Sequence, residues 1–257
     1  MILAIDSGNT HVTFGGVSQT QTVTPVFRIP TDAKETDYGY AAKMKQIFDL
    51  HGIDPVDFEG AIISSVVPQL TSVMRNAVKM LCGKDALVVG AGVKSGLHIC
   101  INDPGTIAAD LVAAAVAAKE LYPLPCIVVD MGTATTLTVV DEGGRFIGGA
   151  ILPGAGISLS ALASETALLP HVELGAPKAA IAANTVDSMK SGIVYGTAGS
   201  VDGIIDRFEQ ELKAPAASIV ATGGISAVIA PHCRHTVTLD ETLLLKGLDI
   251  IWRKNQK

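Results

Sequence analysis

Short apolar runs alternate with amphipathic stretches along the chain, and the two periodicities predict strands and helices in turn. Continuous or alternating apolar runs predict strands at residues 2–5, 12–17, 24–29, 60–67, 85–92 and 217–222. Residues 126–154 predict three more strands joined by tight turns, the second of them Glu-Gly-Gly. This mixture of elements indicates an α/β fold.

Amphipathic stretches predict helices at 36–52, 69–81, from 104 to about 118, near 157–163, 184–212 and 241–253, with a loop at 169–183. Asp103 and Pro104 are the predicted N-cap and first residue of the third helix. That helix contains the stretch "GTIAADLVAAAVAA", in which Asp110 is the single ionisable residue. A lone charge inside an apolar helix is costly to bury unless it is paired or used, so Asp110 is a candidate functional residue. The alternative is a helix-end carboxylate favoured by the helix dipole.

The chain carries a signal of internal duplication. Four apolar residues, an aspartate, any residue, a glycine, a small polar residue and a β-type run occur at Asp6 and again at Asp130, about half the chain apart. Two prolines in "LYPLPC" mark a boundary between the copies. We therefore predict an N-terminal lobe at residues 1–120 and a C-terminal lobe at residues 121–257.

Composition narrows the function class. The chain has 257 residues, of which 48% are hydrophobic and 17% charged, so it has ample core for a globular fold. A net charge of −6 without a basic run argues against nucleic-acid binding. Asp6 interrupts the first apolar run too early for a signal peptide, and no stretch predicts a membrane span. Four scattered cysteines without a C-x-x-C pair indicate a reducing, cytoplasmic protein.

The repeated hairpin suits phosphate chemistry. A strand that ends in Asp and turns through Gly directs backbone N–H groups at the hairpin tip, where the glycine lets an anion approach. The carboxylate repels phosphate but holds a cation that bridges to it. Two such hairpins, one in each lobe, would hold a nucleotide between them, with the "ATGG" turn at 221–224 against the adenosine.

Other motifs in the chain are weaker. The "GAGVKSG" stretch lacks the spacing of a dinucleotide fingerprint, and "CGKD" is not a P-loop. The "HCRH" stretch at 232–235 has some metal-ligand spacing, but no further ligand lies near it in the sequence, so an exposed loop is favoured there.

Several longer motifs resemble those of the type III pantothenate kinases, members of the actin-like ATPase superfamily. The shared stretches are "DSGNTH" (6–11), "ISSVVP" (63–68), "VVGAGVKSGL" (88–97), "DMGTATT" (130–136), "GGAILPG" (148–154), "NTVDSMKSGIVYG" (184–196) and "ATGG" (221–224). The resemblance spans essentially the whole chain. It implies a two-lobed, actin-like (ribonuclease H-like) ATPase fold with duplicated mixed-sheet lobes.

The resemblance also implies an activity, which is the transfer of the γ-phosphoryl group of ATP to pantothenate in the first step of coenzyme A synthesis. It implies Mg²⁺ with the nucleotide, a monovalent cation (K⁺ or NH₄⁺) at Asp130, and a homodimer with its active site at the subunit interface. By position, Asp110 corresponds to the general base, which orients the substrate hydroxyl and accepts its proton. The implied ATP-binding residues are Asp6, Ser7, Gly8, Asn9, Thr10, His11, Val12, Thr13 and Thr133. The implied acceptor-site residues are Ala108, Ala109, Asp110 and Leu111, and the resemblance implies that Thr185 reaches the acceptor site of the partner subunit.

The chain departs from the family pattern near the acceptor. The family motif Gly-x-Asp-Arg reads Ala108-Ala109-Asp110-Leu111 here, and Ile101 stands where a tyrosine is usual. Leucine cannot supply the forked donors of arginine, and Lys94 is a candidate for the missing charge. Three hypotheses follow. The first is a pantothenate kinase with a rearranged acceptor site, and the second is a paralogue that acts on another small alcohol or as a regulator related to the Bvg accessory factor. The third is a different small-molecule kinase of the superfamily.

Overall fold

The computed structural model describes residues 1–256, and these form two compact units. The first unit contains Met1–Leu97, Asn102–Glu120 and the residues from Thr242 onward; the second contains His98–Ile101 and Leu121–Glu241. Each unit is built on one mixed β-sheet, which is the duplicated α/β arrangement that the sequence predicts. Among residues 1–256, no helix combines the length and the hydropathy that a bilayer crossing requires.

The first unit has a five-stranded sheet in the order β3-β2-β1-β4-β5. Its strands are β1 (Ile2–Ser7), β2 (His11–Val17), β3 (Val23–Pro30), β4 (Gly60–Ser65) and β5 (Leu87–Val88). Its helices are α1 (Asp37–Leu50), α2 (Pro68–Cys82), α3 (Ala109–Leu121) and α7 (Leu243–Lys254). The β1 strand pairs antiparallel with β2 and parallel with β4, so it occupies the centre of the sheet.

The core of the first unit lies between this sheet and the helices α1 and α2. Its largest fully buried side chains include Tyr40, Phe14 and Phe48, and the Phe14 and Phe48 rings meet edge to face at 5.6 Å. Local signals fix the helix ends. The side chain of Thr36 accepts the N–H of Gly39 at the start of α1, and Gly83 adopts the left-handed conformation after α2.

The second unit has a six-stranded sheet in the order β11-β10-β7-β8-β9-β6. Its strands are β6 (His98–Ile99), β7 (Cys126–Met131), β8 (Ala134–Val140), β9 (Arg145–Pro153), β10 (Ser218–Thr222) and β11 (Thr238–Leu239). Its helices are α4 (Ala155–Ser164), α5 (Thr185–Leu212) and α6 (Ser226–Ile229). The β7 strand pairs antiparallel with β8 and parallel with β10, which repeats the arrangement around β1.

The units differ from the predicted lobes at two places. The predicted boundary assigns α7 to the C-terminal lobe, whereas α7 packs on β1, β2 and β4 of the first unit. The face of α7 that packs on the sheet carries apolar residues such as Leu245 and Leu248, which are buried. Residues 98–101 join the second unit instead of the first, because β6 pairs with β9.

The third predicted helix begins later than the sequence suggests. Asp103 does accept the N–H of Gly105 at 3.1 Å, but Pro104–Thr106 form only a single 3-10 turn. Extended backbone at Ile107 (φ −64°, ψ 132°) then interrupts the chain, and α3 starts at Ala109. Asp110 therefore lies in the first turn of α3, so the predicted placement in the helix interior was wrong and its position is that of the alternative, a helix-end carboxylate.

Candidate active site

The first Asp-x-Gly hairpin joins β1 to β2 in the first unit. Asp6 pairs with Thr13, and the N–H of Gly8 donates to the carbonyl of His11 at 3.0 Å. The hydroxyl of Thr31 donates to the carbonyl of Gly8 at 2.7 Å and so fixes the turn from outside. The turn itself is exposed at Asn9, Thr10 and His11.

Two of the predicted phosphate-loop residues have no side chain at the surface. Val12 belongs to the hydrophobic core, and the side chain of Ser7 is fully buried. Any contribution of these two residues to a ligand therefore comes from their backbone groups. The side chains that remain for polar contact are those around the exposed turn.

The second hairpin joins β7 to β8 in the second unit. Asp130 pairs with Thr136, and the N–H of Gly132 donates to the carbonyl of Ala134 at 3.0 Å. This hydrogen bond joins residues two positions apart, whereas the corresponding bond in the first hairpin joins residues three positions apart. The second turn is therefore one residue shorter. The duplication thus conserves the strand ends and their aspartates, while the two tips differ.

Two glycines pack directly against the second hairpin. Gly223 has φ +94°, and a Cβ atom added there would lie 2.6 Å from Oδ1 of Asp130 and 2.5 Å from the carbonyl oxygen of Met131. A Cβ at Gly154 would lie 2.2 Å from the carbonyl oxygen of Thr133. Only glycine fits at either position. The "ATGG" turn is therefore held against the hairpin of its own unit, and its predicted contact with adenosine stays a prediction. Sequence reasoning missed the role of Gly154, for which the Pro-Gly step before α4 is the available signal.

Asp110 and its neighbours form a partly buried surface at the start of α3. The backbone N–H of Leu111 donates to Oδ1 of Asp110 at 2.7 Å. Burial raises the pKa of the Asp110 carboxyl above its ordinary value, and the backbone hydrogen bond from Leu111 opposes that rise. Within residues 1–256, no side chain donates a hydrogen bond to Asp110 or forms an ion pair with it. Ala108 and Ala109 share this partly buried setting.

Thr185 is the exposed first residue of α5 in the second unit. Asn184 caps this helix, since its side-chain oxygen accepts the N–H of Asp187 at 2.9 Å and its Nδ2 donates to that carboxylate at 2.8 Å. The Asn184 hydrogen bond lowers the pKa of Asp187 below its ordinary value. The cap thus fixes Thr185 at the exposed beginning of the helix.

Lys94, the candidate for the missing charge, is held through its backbone. Its N–H donates to Oδ1 of Asn255 at 3.1 Å, and its carbonyl accepts from Nδ2 of the same residue at 3.0 Å. In the described part of the chain its ammonium group forms no ion pair. Its role as a replacement for the family arginine stays a prediction.

Comparison with known proteins identifies the family. The family model for type III pantothenate kinases matches residues 2–207. The type III pantothenate kinases of Halalkalibacterium halodurans and Moorella thermoacetica are 38% and 40% identical to the chain, and each match covers 99% of this chain and 100% of the relative. The solved activator of the 2-hydroxyisocaproyl-CoA dehydratase from Clostridium difficile, with bound ADPNP, has a TM-score of 0.57 at 11% identity over 100% of this chain and 98% of its own. That likeness concerns the fold alone and confirms the predicted actin-like architecture. From the two full-length matches and the family model, the chain belongs to the type III pantothenate kinase family.

Proposed function

We propose that the protein transfers the γ-phosphoryl group of ATP to the primary hydroxyl of pantothenate and forms 4'-phosphopantothenate, the first step of coenzyme A synthesis. The observation that carries this proposal is the identity of 38–40% to type III pantothenate kinases over their full length. Nucleotide use is further supported by the fold, which a protein with bound ADPNP shares.

The ATP phosphates are bound by the hairpin at Asp6–Thr13, with Thr133 as a further contact to the nucleotide. The turn supports this role because it is exposed and its tip carries the amide of Asn9 and the hydroxyl of Thr10 as donors. Phosphoryl transfer requires little covalent chemistry from a protein, so positioning and charge neutralisation supply most of the rate.

A monovalent cation, K⁺ or NH₄⁺, is assigned to Asp130, and Mg²⁺ to the nucleotide. The carboxylate of Asp130 at the end of β7 fits a hard cation because it offers oxygen donors. When bound, these cations neutralise negative charge on the phosphates. The chain contributes the rigid placement of the carboxylate, which the close glycine contacts maintain.

Asp110 acts as the general base. The pantothenate hydroxyl oxygen forms a bond to the γ-phosphorus while the bond from that phosphorus to the β–γ bridging oxygen breaks. ADP keeps the electron pair, and the hydroxyl proton passes to a carboxylate oxygen of Asp110. The raised pKa of this carboxyl supports the role, because a more basic carboxylate accepts a proton more readily. Ala108, Ala109 and Leu111 contact the acceptor, and Thr185 reaches the acceptor site of the partner subunit.

We assign the active form to a cytoplasmic homodimer. The second unit supports the assembly with exposed apolar side chains, since Ile151 of β9 is 75% exposed and Ile157 of α4 is also exposed. Light scattering tests the assembly: a dimer mass is expected, and a monomer at assay concentration would contradict it.

The decisive experiment incubates the protein with ATP, Mg²⁺, K⁺ and pantothenate and detects phosphopantothenate. Asp110→Asn is expected to lower kcat by about 10²–10⁴-fold while ATP binding is retained, which is the usual contribution of a general base. Asp103→Asn is the matched control, because it removes a nearby charge but keeps a capping side chain. Its activity is expected to stay near that of the unmodified protein.

Two results would contradict the proposal. A protein that binds ATP but makes no phosphopantothenate would favour the paralogue with another acceptor or a regulatory role. Full activity in Asp110→Asn would exclude Asp110 as the base and leave the kinase activity standing.

A further inference from the structure

A histidine and two carboxylates converge near the end of α5, outside the residues assigned to the kinase site. Nε2 of His235 lies 3.3 Å from Oδ1 of Asp206 and 3.9 Å from Oε2 of Glu209. One ligand atom from each residue falls within 4.8 Å of the other two. Asp206 and Glu209 are three residues apart on one helix and so share a face, while His235 follows the turn at 230–232. The further ligands that the sequence did not reveal near "HCRH" thus come from a distant helix.

The His235 ring is oriented by a buried carboxylate. Nδ1 of His235 lies 2.9 Å from Oδ1 of Asp202, whose side chain is 3% exposed. Asp202 also accepts the backbone N–H of Arg234 at 2.8 Å. The 2.9 Å contact with the Asp202 carboxylate assigns the proton of a neutral His235 ring to Nδ1, so the lone pair of Nε2 points toward the other two residues.

The two carboxylates are oriented in the same way, each through the oxygen that does not face His235. Oδ2 of Asp206 accepts from the guanidinium of Arg234 at 2.8 Å, and Oε1 of Glu209 accepts the N–H of Ala216 at 2.9 Å. The remaining oxygens, Oδ1 and Oε2, face Nε2. Three oriented ligand atoms therefore lie within 4.8 Å of one another, which is the arrangement of metal ligands supported by outer hydrogen bonds.

Distances and charge favour a cation at that point. Strong charge-assisted N–H···O bonds measure about 2.7–2.9 Å, shorter than both contacts of Nε2. Around a tetrahedral ion with bonds of about 2.0–2.1 Å, neighbouring ligand atoms lie about 3.3 Å apart. The observed 3.3 Å matches this spacing, and the 3.9 Å contact reaches it with a small side-chain rotation. The cluster contains the carboxylates of Asp202, Asp206 and Glu209. The single positive charge of Arg234 does not balance their negative charge, so a cation would be favoured.

We propose that His235, Asp206 and Glu209 bind a divalent transition-metal ion, Zn²⁺, with water at the fourth position. An imidazole beside two carboxylates suits Zn²⁺ better than Mg²⁺ or Ca²⁺, which prefer oxygen donors alone. Such an ion joins the end of α5 to the segment that carries His235. The site is independent of pantothenate phosphorylation.

Calorimetric titration of the full chain, without an affinity tag and after treatment with chelator, tests the site with Zn²⁺ as the probe. One Zn²⁺ per chain is expected. Glu209→Gln, at a partly exposed position, is expected to weaken binding at least about tenfold, and Asp202→Asn about 10–100-fold through loss of ring orientation. Glu211→Gln is the matched control, since it makes the same change at an exposed position on the same helix and should leave affinity unchanged.

Cobalt substitution separates this site from the free thiols of the chain. Co²⁺ is expected to give the visible absorption of tetrahedral nitrogen and oxygen ligation, and Cys233→Ser should leave that spectrum unchanged. The absence of saturable Zn²⁺ binding, affinity unchanged in both Glu209→Gln and His235→Gln, or a thiolate charge-transfer band would each overturn the proposal. Because no readout involves ATP or pantothenate, these outcomes do not depend on the kinase activity.

Discussion

Gly223→Ala tests whether the close approach of the "ATGG" turn sets the position of Asp130. At φ +94° an alanine is strained, which costs about 1–2 kcal/mol. Its methyl group would also lie 2.6 Å from Oδ1 of Asp130 and 2.5 Å from a backbone oxygen. Such overpacking adds about 1–3 kcal/mol, so the total destabilisation is about 2–5 kcal/mol. The melting temperature is expected to fall by at least about 4 °C.

The effect on catalysis comes from displacement. Ordinary van der Waals contact with the new methyl group requires the carboxylate to move by about 0.8 Å, and a misplacement near 1 Å in an active site lowers rates by about 10²-fold. We expect kcat/KM for ATP to fall by about 10–100-fold in protein that is still folded, measured by steady-state kinetics below the melting temperature.

Gly83→Ala is the matched control for backbone strain. Gly83 also has positive φ (+67°), but nothing lies within 4 Å of its added Cβ. It should lose about 1–2 kcal/mol of stability and no activity. If Gly223→Ala keeps the kcat/KM of the unmodified protein, or if Gly83→Ala loses as much activity, the contact with Asp130 is not the cause of the activity loss.

Three further outcomes are expected. Gly247→Ala places a methyl group 1.9 Å from a backbone oxygen of α3 and should lower the melting temperature by about 2–8 °C. Gly199→Ala has open space around its added methyl group and should raise the melting temperature slightly. Equal shifts in the two variants would contradict the close packing of α7 against α3. Because burial raises the pKa of Asp110, its ionised form destabilises the fold, so Asp110→Asn should raise the melting temperature near neutral pH. That gain should vanish below the ordinary aspartate pKa of about 3.9, and a gain that persists there would exclude relief of the charge as its cause. A thiol reagent at mildly alkaline pH should modify the exposed Cys100 first, because burial raises the pKa of Cys82 to about 11; comparable rates at both, located by mass spectrometry, would contradict the described burial.

Helices and turns that begin or end at a local sequence signal could be predicted from the sequence. Asn184 predicts the start of α5, and the paired Asp-x-Gly patterns predict both central hairpins with Asp6 and Asp130 at the strand ends. These features depend on a few consecutive residues. For that reason the amino-acid sequence alone is enough to predict the duplicated α/β fold and the candidate phosphate loop.

Features that depend on distant residues could not be predicted in this way. The two-residue strand β6 exists only because His98 and Ile99 meet β9, and no local pattern marks them as a strand. The late start of α3 depends on extended backbone at Ile107, which an Ala-rich helical pattern conceals. In the candidate site, the fit of Gly154 against the second hairpin likewise arises from packing between separate segments.

The return of α7 to the first unit constrains the order of folding during synthesis. A sheet with parallel strands needs cover on both faces, and α7 covers β1 and β4 with buried residues such as Leu248 and Ile251. A ribosome that has released residues 1–120 has delivered all five strands of that sheet but not this helix. The nascent sheet therefore keeps an apolar face uncovered until the whole second unit has been translated. The two units are compact in the finished protein, yet the first cannot complete its core as an independent early domain.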